Sequence, residues 1–386
     1  FLEALGLNAH SPEEIGEMLT WHTAEVEEVI PEGKYLDHVV TGKLLEAKAI
    51  EGSEKLSHAK VDIGYKTIEL IFGKVHEVEV GEIFPVATAG AVLPGGEIKV
   101  REIMGRKTEG MFGTDEELGI ENSTEGFTRF PDDTPLGMPL SEILGMNGYI
   151  VDIDNKSLTH RPDLWGHYGM ARELAVILKK PLKPLEKHIE EPETGSETEL
   201  KVTIEDDVMC PLFSGCVVTG IKIAESPQWI KTRLQAAGMH PINNIVDITN
   251  YVMLELGQPM HAYDRKVVGS DVLTVGPGKK GVKLVTLDGS EQELCPEDPV
   301  IYNEAGEPLI LAGIKGGLKS GINNETTEII LEAANWDPIM IRKASSRHAL
   351  RTDASQRFEK SLDPTNTVLA IKRAIALIKE LCPKAK

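Results

Sequence analysis

The chain has 386 residues, with 41 basic against 61 acidic side chains and a formal net charge of −20. That balance excludes a surface that holds nucleic acid by bulk electrostatics, so any RNA contact must be local or shared with a partner. With 41% hydrophobic and 26% charged residues, and no apolar run near the roughly eighteen residues that span a bilayer, the chain reads as a soluble, non-membrane protein of two or three domains. The four cysteines, Cys210, Cys216, Cys295 and Cys382, make no C-x-x-C pair and no zinc spacing with the histidines, which predicts reduced thiols, a cytoplasmic setting and no metal. The first residue is Phe1 and not Met, as expected of a piece of a longer protein.

Ser11-Pro12-Glu13-Glu14 is a capping box with proline at the first helical position, predicting a helix from Pro12 to about Thr20. Ala24, Val26 and Ile30 alternate with charged residues and predict a strand. From His38 onward, short alternating runs broken by glycine recur at roughly ten-residue spacing, the pattern of a small all-β barrel. Its later part, Leu93-Pro94-Gly95-Gly96 through Ile98-Lys99-Val100-Arg101 to Gly105-Arg106-Lys107-Thr108, resembles the tRNA-binding OB-fold module of several synthetases. The resemblance implies that Lys99, Arg101, Arg106 and Lys107 offer cations to RNA. Two features depart from that module: aromatic interleaving is thin, and Phe72-Gly73-Lys74 stands where it usually carries Cys-Gly-Ala.

Beyond Tyr149, Asp163 is placed to cap a helix with His167, Ala171, Leu174 and Leu178 on one stripe, stopped by Pro181. His160, Arg161, Asp163 and His167 read as packing and subunit contact. Residues 184–199 are acidic, polar and broken by proline and glycine, as in a linker. Strands follow at Leu200–Ile204 and Cys216–Ile223, then a helix opened by Ser226-Pro227 and ended by Gly238. Asn243 or Asn244 then caps a helix whose apolar residues Ile245, Ile248, Val252 and Leu256 recur every three or four positions, closed by Gly257 and Pro259. Its other face carries Asp247, Thr249 and Asn250, and His261 follows in a loop. Carboxylate, hydroxyl, amide and imidazole together can hold a polar ligand and a water, although Thr and Asn on a helix more often bond their own backbone.

In the last third, a strand from Leu309 runs into Gly316-Gly317, where backbone can approach a ligand closely; the pattern fits no phosphate loop. Glu332 falls at the end of an apolar strand, and Arg342, Arg347, His348, Arg351 and Arg357 flank Thr352-Asp353-Ala354-Ser355. Asp363-Pro364 is placed to cap a final helix with Val368, Ile371, Ile375 and Ile378 on one face.

Asn243-Asn244-Ile245-Val246-Asp247-Ile248-Thr249-Asn250-Tyr251, followed by Gly257-Gln258-Pro259-Met260-His261-Ala262-Tyr263-Asp264, resembles the editing-domain signature of bacterial phenylalanyl-tRNA synthetase beta subunits. The resemblance covers essentially the whole chain. It implies an α+β multidomain fold: an OB-fold barrel (40–151) inserted in a small α+β domain (1–39 with 152–183), the linker 184–199, and a larger mixed α+β editing domain (200–386). It also implies hydrolysis, by a positioned water, of tyrosine mischarged on tRNA(Phe). Activation and charging would require the alpha subunit in an alpha2-beta2 assembly, with ATP and Mg2+ needed by the complete synthetase and no cofactor in this piece.

By the same resemblance, Glu332 and backbone near Ala354 receive the phenolic hydroxyl, Gly316 gives the ring room, and His261, Thr249 and Asn250 hold the terminal adenosine, the ester and the water. His240 stands where many relatives carry arginine, which weakens anchoring of phosphate or ribose, and Ala349 stands where glycine is common. A different class of function is a non-catalytic assembly and tRNA-docking module with an inactive pocket. A stand-alone serine or cysteine hydrolase lacks both a Gly-x-Ser-x-Gly elbow and a reactive cysteine context.

Overall fold

The structure is a computed structural model describing residues 10–386 apart from 54, 74–77, 119–126, 147 and 193–198. Lys74 of the departing segment and residues 193–198 of the acidic stretch therefore lie outside the described residues. The chain divides into two compact units, Val29–Ile150 and Phe1–Glu28 with Val151–Lys386.

In the smaller unit, Gly110–Phe112, Ile83–Thr88, Val39–Ala49, Leu56–Asp62 and Thr67–Gly73 pair in that spatial order, all antiparallel. Glu109 N donates to Glu69 O at 2.8 Å and Ile71 N to Thr108 Oγ1 at 3.2 Å, which draws the outer strands together into a nearly closed, OB-like barrel. Alternation sends Leu44, Val61, Leu70, Phe84 and Phe112 inward. In the long strand a Cβ on Gly42 would lie 2.7 Å from side-chain methyls of both Val61 and Val86, so glycine is what fits there.

In the larger unit the first helix has its Ser11/Glu14 capping box and runs Pro12–His22, packing Ile15 and Leu19 against Leu174. Leu174 lies on the helix His167–Ile177, whose N-cap is Gly166 rather than Asp163. A Cβ on Gly166 would lie 2.3 Å from Gly257 N, so close packing against the end of the signature helix decides where this one starts. Asp163 instead sits in a short 3-10 turn and binds Arg161 (2.9 Å) and Arg172 (3.0 Å), while Arg161 also reaches Glu173 (2.9 Å).

The rest of this unit contains strands β1 (Lys201–Ile204), β2 (Leu212–Val218), β3 (His261–Asp264), β4 (Val272–Pro277), β5 (Pro299–Asn303), β6 (Pro308–Leu311), β7 (Lys315–Gly316) and β8 (Ile329–Asn335). Its helices include α1 (Gln228–Ala236), α2 (Asn244–Leu256), α3 (Pro338–Arg347), α4 (Asp353–Phe358) and α5 (Asn366–Leu381). The strands form two sheets, ordered β1-β4-β5-β6-β7 and β2-β8-β3. The three-stranded sheet is buried on both faces. Ala262, Ile329, Leu331 and Ala333 meet Ile245, Ile248, Val252 and Leu256 of α2 and Ile371, Ile375 and Ile378 of α5. Tyr263, Ile330 and Ala334 face Leu273, Val275, Ile301 and Leu311 of the other sheet.

Three sequence expectations shift. β2 begins at Leu212, because Ser214 and Gly215 belong to the ladder without showing apolar alternation. α5 is capped at Thr365, whose N–H and hydroxyl both donate to Asp363, and its apolar stripe omits Val368, which is 43% exposed. The acidic stretch is no free linker at 188–191. There Glu190 N donates to Lys372 O at 3.0 Å, and Glu190 and Glu191 pair with Lys379 (2.5 Å) and Lys372 (2.7 Å), so its charge complements a basic face of α5.

Ala349, just past the end of α3, has a φ of 52°, in the left-handed region that favours glycine. An L side chain there costs roughly 1–2 kcal/mol, so Ala349→Gly is expected to stabilise the protein by about 1 kcal/mol, read as a higher urea midpoint.

Candidate functional site

Asn243 caps α2 by accepting from Ile245 N (3.1 Å) and Val246 N (3.0 Å), and Gly257 ends it in the left-handed conformation. The chain then turns back to the sheet because the buried Gln258 amide donates to Pro259 O and Ala334 O, both at 3.0 Å. His261 consequently opens a strand rather than lying in a loop. β3 and β8 run antiparallel with His261 opposite Glu332 and Tyr263 opposite Ile330. Glu332 occupies the middle of β8 and not its end, because the sheet is covered on both faces and the apolar run continues to Asn335. On its other side Glu332 faces Gly215 of β2. Residues directly opposite share a face, as do residues two apart, so His261, Tyr263 and Glu332 stand together.

The Glu332 carboxylate is buried and accepts the Tyr263 hydroxyl. Burial pushes its pKa up to about 7, opposed by that hydrogen bond. Burial, and then the adjacent carboxylate, hold the Tyr263 phenol well above its ordinary value, so it remains a donor. The His261 ring packs edge-on against Tyr263 with centroids 4.6 Å apart. Part of the His261 residue reaches the surface, but its Nε2 is sealed and has no hydrogen-bond partner among the described residues; Gln258 Oε1 is in the same condition. Burial lowers the imidazole to about 4, so it is neutral at pH 7.

Gly316 flanks the ring: a Cβ there would lie 2.7 Å from His261 Cε1 and 2.8 Å from Leu287 Cδ1. Ala354 packs against the same core from the first turn of α4, and Thr352, which caps α4, donates to Ile314 O at 2.9 Å just before β7.

The remaining sequence candidates lie elsewhere. Thr249 is buried with its hydroxyl turned back onto Val246 O at 2.7 Å. Asp247 accepts Ser226 Oγ (2.5 Å) and Ile242 N (2.7 Å), which spends its carboxylate on the turn before the helix. The apolar stripe of α2 covers the sheet face opposite His261, Tyr263 and Glu332, and among the described residues no hydrogen bond joins Thr249 or Asn250 to those three. His240 is exposed before α2. Tyr263 is the residue sequence reasoning missed; reading 261–264 as a strand places it beside His261 by simple alternation.

In the smaller unit, Arg101–Ile103 and Arg106–Thr108 form a hairpin. Lys99 is paired with Glu97 (2.8 Å) and Lys107 with Glu109 (3.0 Å), while Arg101 and Arg106 are exposed. Burial leads the causes that push Cys210 up to about 12 and Cys216 and Cys295 up to about 11, so none of these three is poised as a thiolate nucleophile. Among the described residues no group of three or more His, Cys, Asp or Glu side chains could hold a metal ion, and no helix is long and apolar enough to cross a membrane.

Residues 209–383 match the B3/4 domain model and residues 39–139 that of a putative tRNA binding domain. The phenylalanine-tRNA ligase beta subunit of Porphyromonas gingivalis is 39% identical over 382 residues, 96% of this chain and 46% of that protein. The beta subunit of Clostridium acetobutylicum is 39% identical over 373 residues (95% and 46%), and that of Bdellovibrio bacteriovorus 37% over 371 residues (96% and 45%). The chain thus spans a little under half the length of these relatives. With both domain matches falling inside that shared stretch, the chain belongs to the phenylalanine-tRNA ligase beta-subunit family.

Proposed function

We propose that this chain is the editing portion of a phenylalanine-tRNA ligase beta subunit and hydrolyses tyrosine esterified by mistake to tRNA(Phe). The observation that carries the reading is the sealed Nε2 of His261, without a hydrogen-bond partner among the described residues, directly across the ladder from a buried carboxylate and flanked by a glycine that leaves it space. An ester needs no covalent nucleophile, only a water held in line with its carbonyl. With its pKa near 4, His261 is a weak base at pH 7, so its role is to orient that water rather than to carry its proton away.

Glu332 accepts the phenolic hydroxyl of the substrate. Phenylalanine leaves that buried oxygen unmatched, which supports discrimination of up to roughly ten-thousandfold. The backbone near Ala354 shares in receiving that hydroxyl, and Gly316 gives the ring room. Thr249, Asn250 and His240 hold the terminal adenosine and ester, which requires Thr249 to release Val246 O. Lys99, Arg101, Arg106 and Lys107 form a secondary tRNA contact. The alpha subunit, in an alpha2-beta2 assembly in the cytoplasm, supplies activation and charging with ATP and Mg2+.

The bond from Thr249 to Val246 O favours one competing reading, a non-catalytic assembly and tRNA-docking module. The two part in one assay on tRNA(Phe) charged with tyrosine, with and without the alpha subunit. The editing reading expects release well above buffer, reduced roughly hundredfold by His261→Ala and by Gly316→Ala, whose methyl displaces the imidazole. No release above buffer in either condition leaves the docking module.

A further inference from the structure

We propose that Tyr263 is the positioning residue for selectivity: its hydroxyl fixes the Glu332 carboxylate in one rotamer, leaving the second oxygen for the substrate's phenol. The inference rests on the editing reading above and deepens it.

The protein's own phenol already makes, at Glu332 Oε2, the contact that selection of tyrosine over phenylalanine requires of a substrate. Among the described residues Tyr263 is the sole hydrogen-bond partner of that carboxylate, because Gly215 on one side has no side chain and His261 on the other makes no bond to it. The Tyr263 ring has no freedom to look elsewhere. It is fully buried, follows Ala262 in a strand, and is held edge-on by the His261 ring.

An ionised carboxylate accepts the phenolic proton in a charge-assisted bond, whereas a protonated one makes only a weaker neutral bond and so favours the phenol over bare hydrocarbon by less. The other titratable groups around it are His261, neutral at pH 7, and the Cys210 thiol, protonated at pH 7, so neither offers a positive charge to keep it ionised. The Tyr263 hydroxyl lowers the carboxyl against burial to about 7, so part of it is ionised at neutral pH. Removing that hydroxyl moves the carboxyl further up and leaves it largely protonated at neutral pH.

The test compares the wild-type chain with Tyr263→Phe, which keeps the ring. Hydrolysis of tyrosyl- and phenylalanyl-tRNA(Phe) is followed from pH 6 to 9, and the Glu332 carboxyl is titrated by carbon NMR. The expected result at pH 7 is a KM for the tyrosyl ester raised roughly tenfold with kcat within about twofold, because the lost contact is remote from the carbonyl. The KM defect should shrink toward pH 9, and the carboxyl should titrate at higher pH than in wild type. A loss of packing alone would lower activity equally at every pH and leave the titration in place. A variant matching wild type in KM, pH profile and titration overturns this inference while the editing reading stands. A wild type that spares the tyrosyl ester overturns both.

Discussion

Replacing Glu332 by glutamine is expected to make the protein more stable above neutral pH and less selective at the same time. The folded state holds this carboxyl at about 7, against 4.5 for an ordinary glutamate, because burial disfavours its charge. The protonated group is the one the fold prefers. Its favourable contribution is complete below 4.5 and is lost as pH rises through about 7. That shift corresponds to roughly 3 kcal/mol by pH 8. Glutamine has the same shape, carries no charge and still accepts from Tyr263, so Glu332→Gln should raise the urea midpoint at pH 8 and change it little at pH 4. An amide accepts a phenol more weakly than a carboxylate does, and preference for tyrosine should fall ten- to about a hundredfold. Equal midpoints for the two proteins at pH 8 would mean that the carboxylate is not strained. His261 shows the opposite sign: its lowered pKa contributes stability above 6.5 that is lost as pH falls through about 4.

The largest expected loss of stability comes from Asp298→Ala. This side chain is fully buried in the turn before β5, where it accepts Cys295 N (2.8 Å), His348 Nε2 (2.8 Å) and the Arg347 guanidinium. Burial pushes its pKa up, but the Cys295 N–H and then His348 outweigh it, and the net shift is downward. Its contribution is therefore present above the ordinary 3.8 and disappears as pH falls through the lower folded value. Alanine would leave the buried His348 imidazole and the Cys295 N–H without their acceptor, while the solvent-accessible Arg347 guanidinium rehydrates, at a cost of about 3 kcal/mol. Denaturation midpoints at pH 7 check this; a loss under about 1 kcal/mol would show that the end of α3 is held by packing instead.

Much of this architecture was legible in the sequence where local chemistry decides it. The Ser11 capping box, the Asn243 cap and Gly257 stop of α2, and the alternation of the barrel strands act over a few residues and name themselves. The pairing of His261 with Glu332 is not local. Seventy-one positions separate them, and only the ladder register joins them. The four-residue strand that carries His261 is too short for its alternation to show, and Gln258, which steers it onto the sheet, acts through a backbone carbonyl 76 positions away. Resemblance to a family gave those residues a role but not a geometry. It gave them different parts of one substrate to hold and did not imply that they face each other on adjacent strands. The helix residues Thr249 and Asp247 read as a polar face, yet burial turns their groups onto their own backbone and the preceding turn. The acidic stretch looked like solvent-facing chain because its basic counterpart on α5 lies 181 and 189 positions further on.

Facing each other across two hydrogen-bonded backbones, His261 and Glu332 have a separation set by the pleat itself, about 4.5–5.5 Å between α-carbons. Substitutions in surrounding loops therefore have almost no leverage over it. A single-residue deletion between Gly257 and Met260 would instead exchange the two faces of β3, sending the imidazole toward the α2 layer and Ala262 toward the carboxylate. His261 and Glu332 are thus one mechanical part, and either can be retuned only by changing the side chain itself.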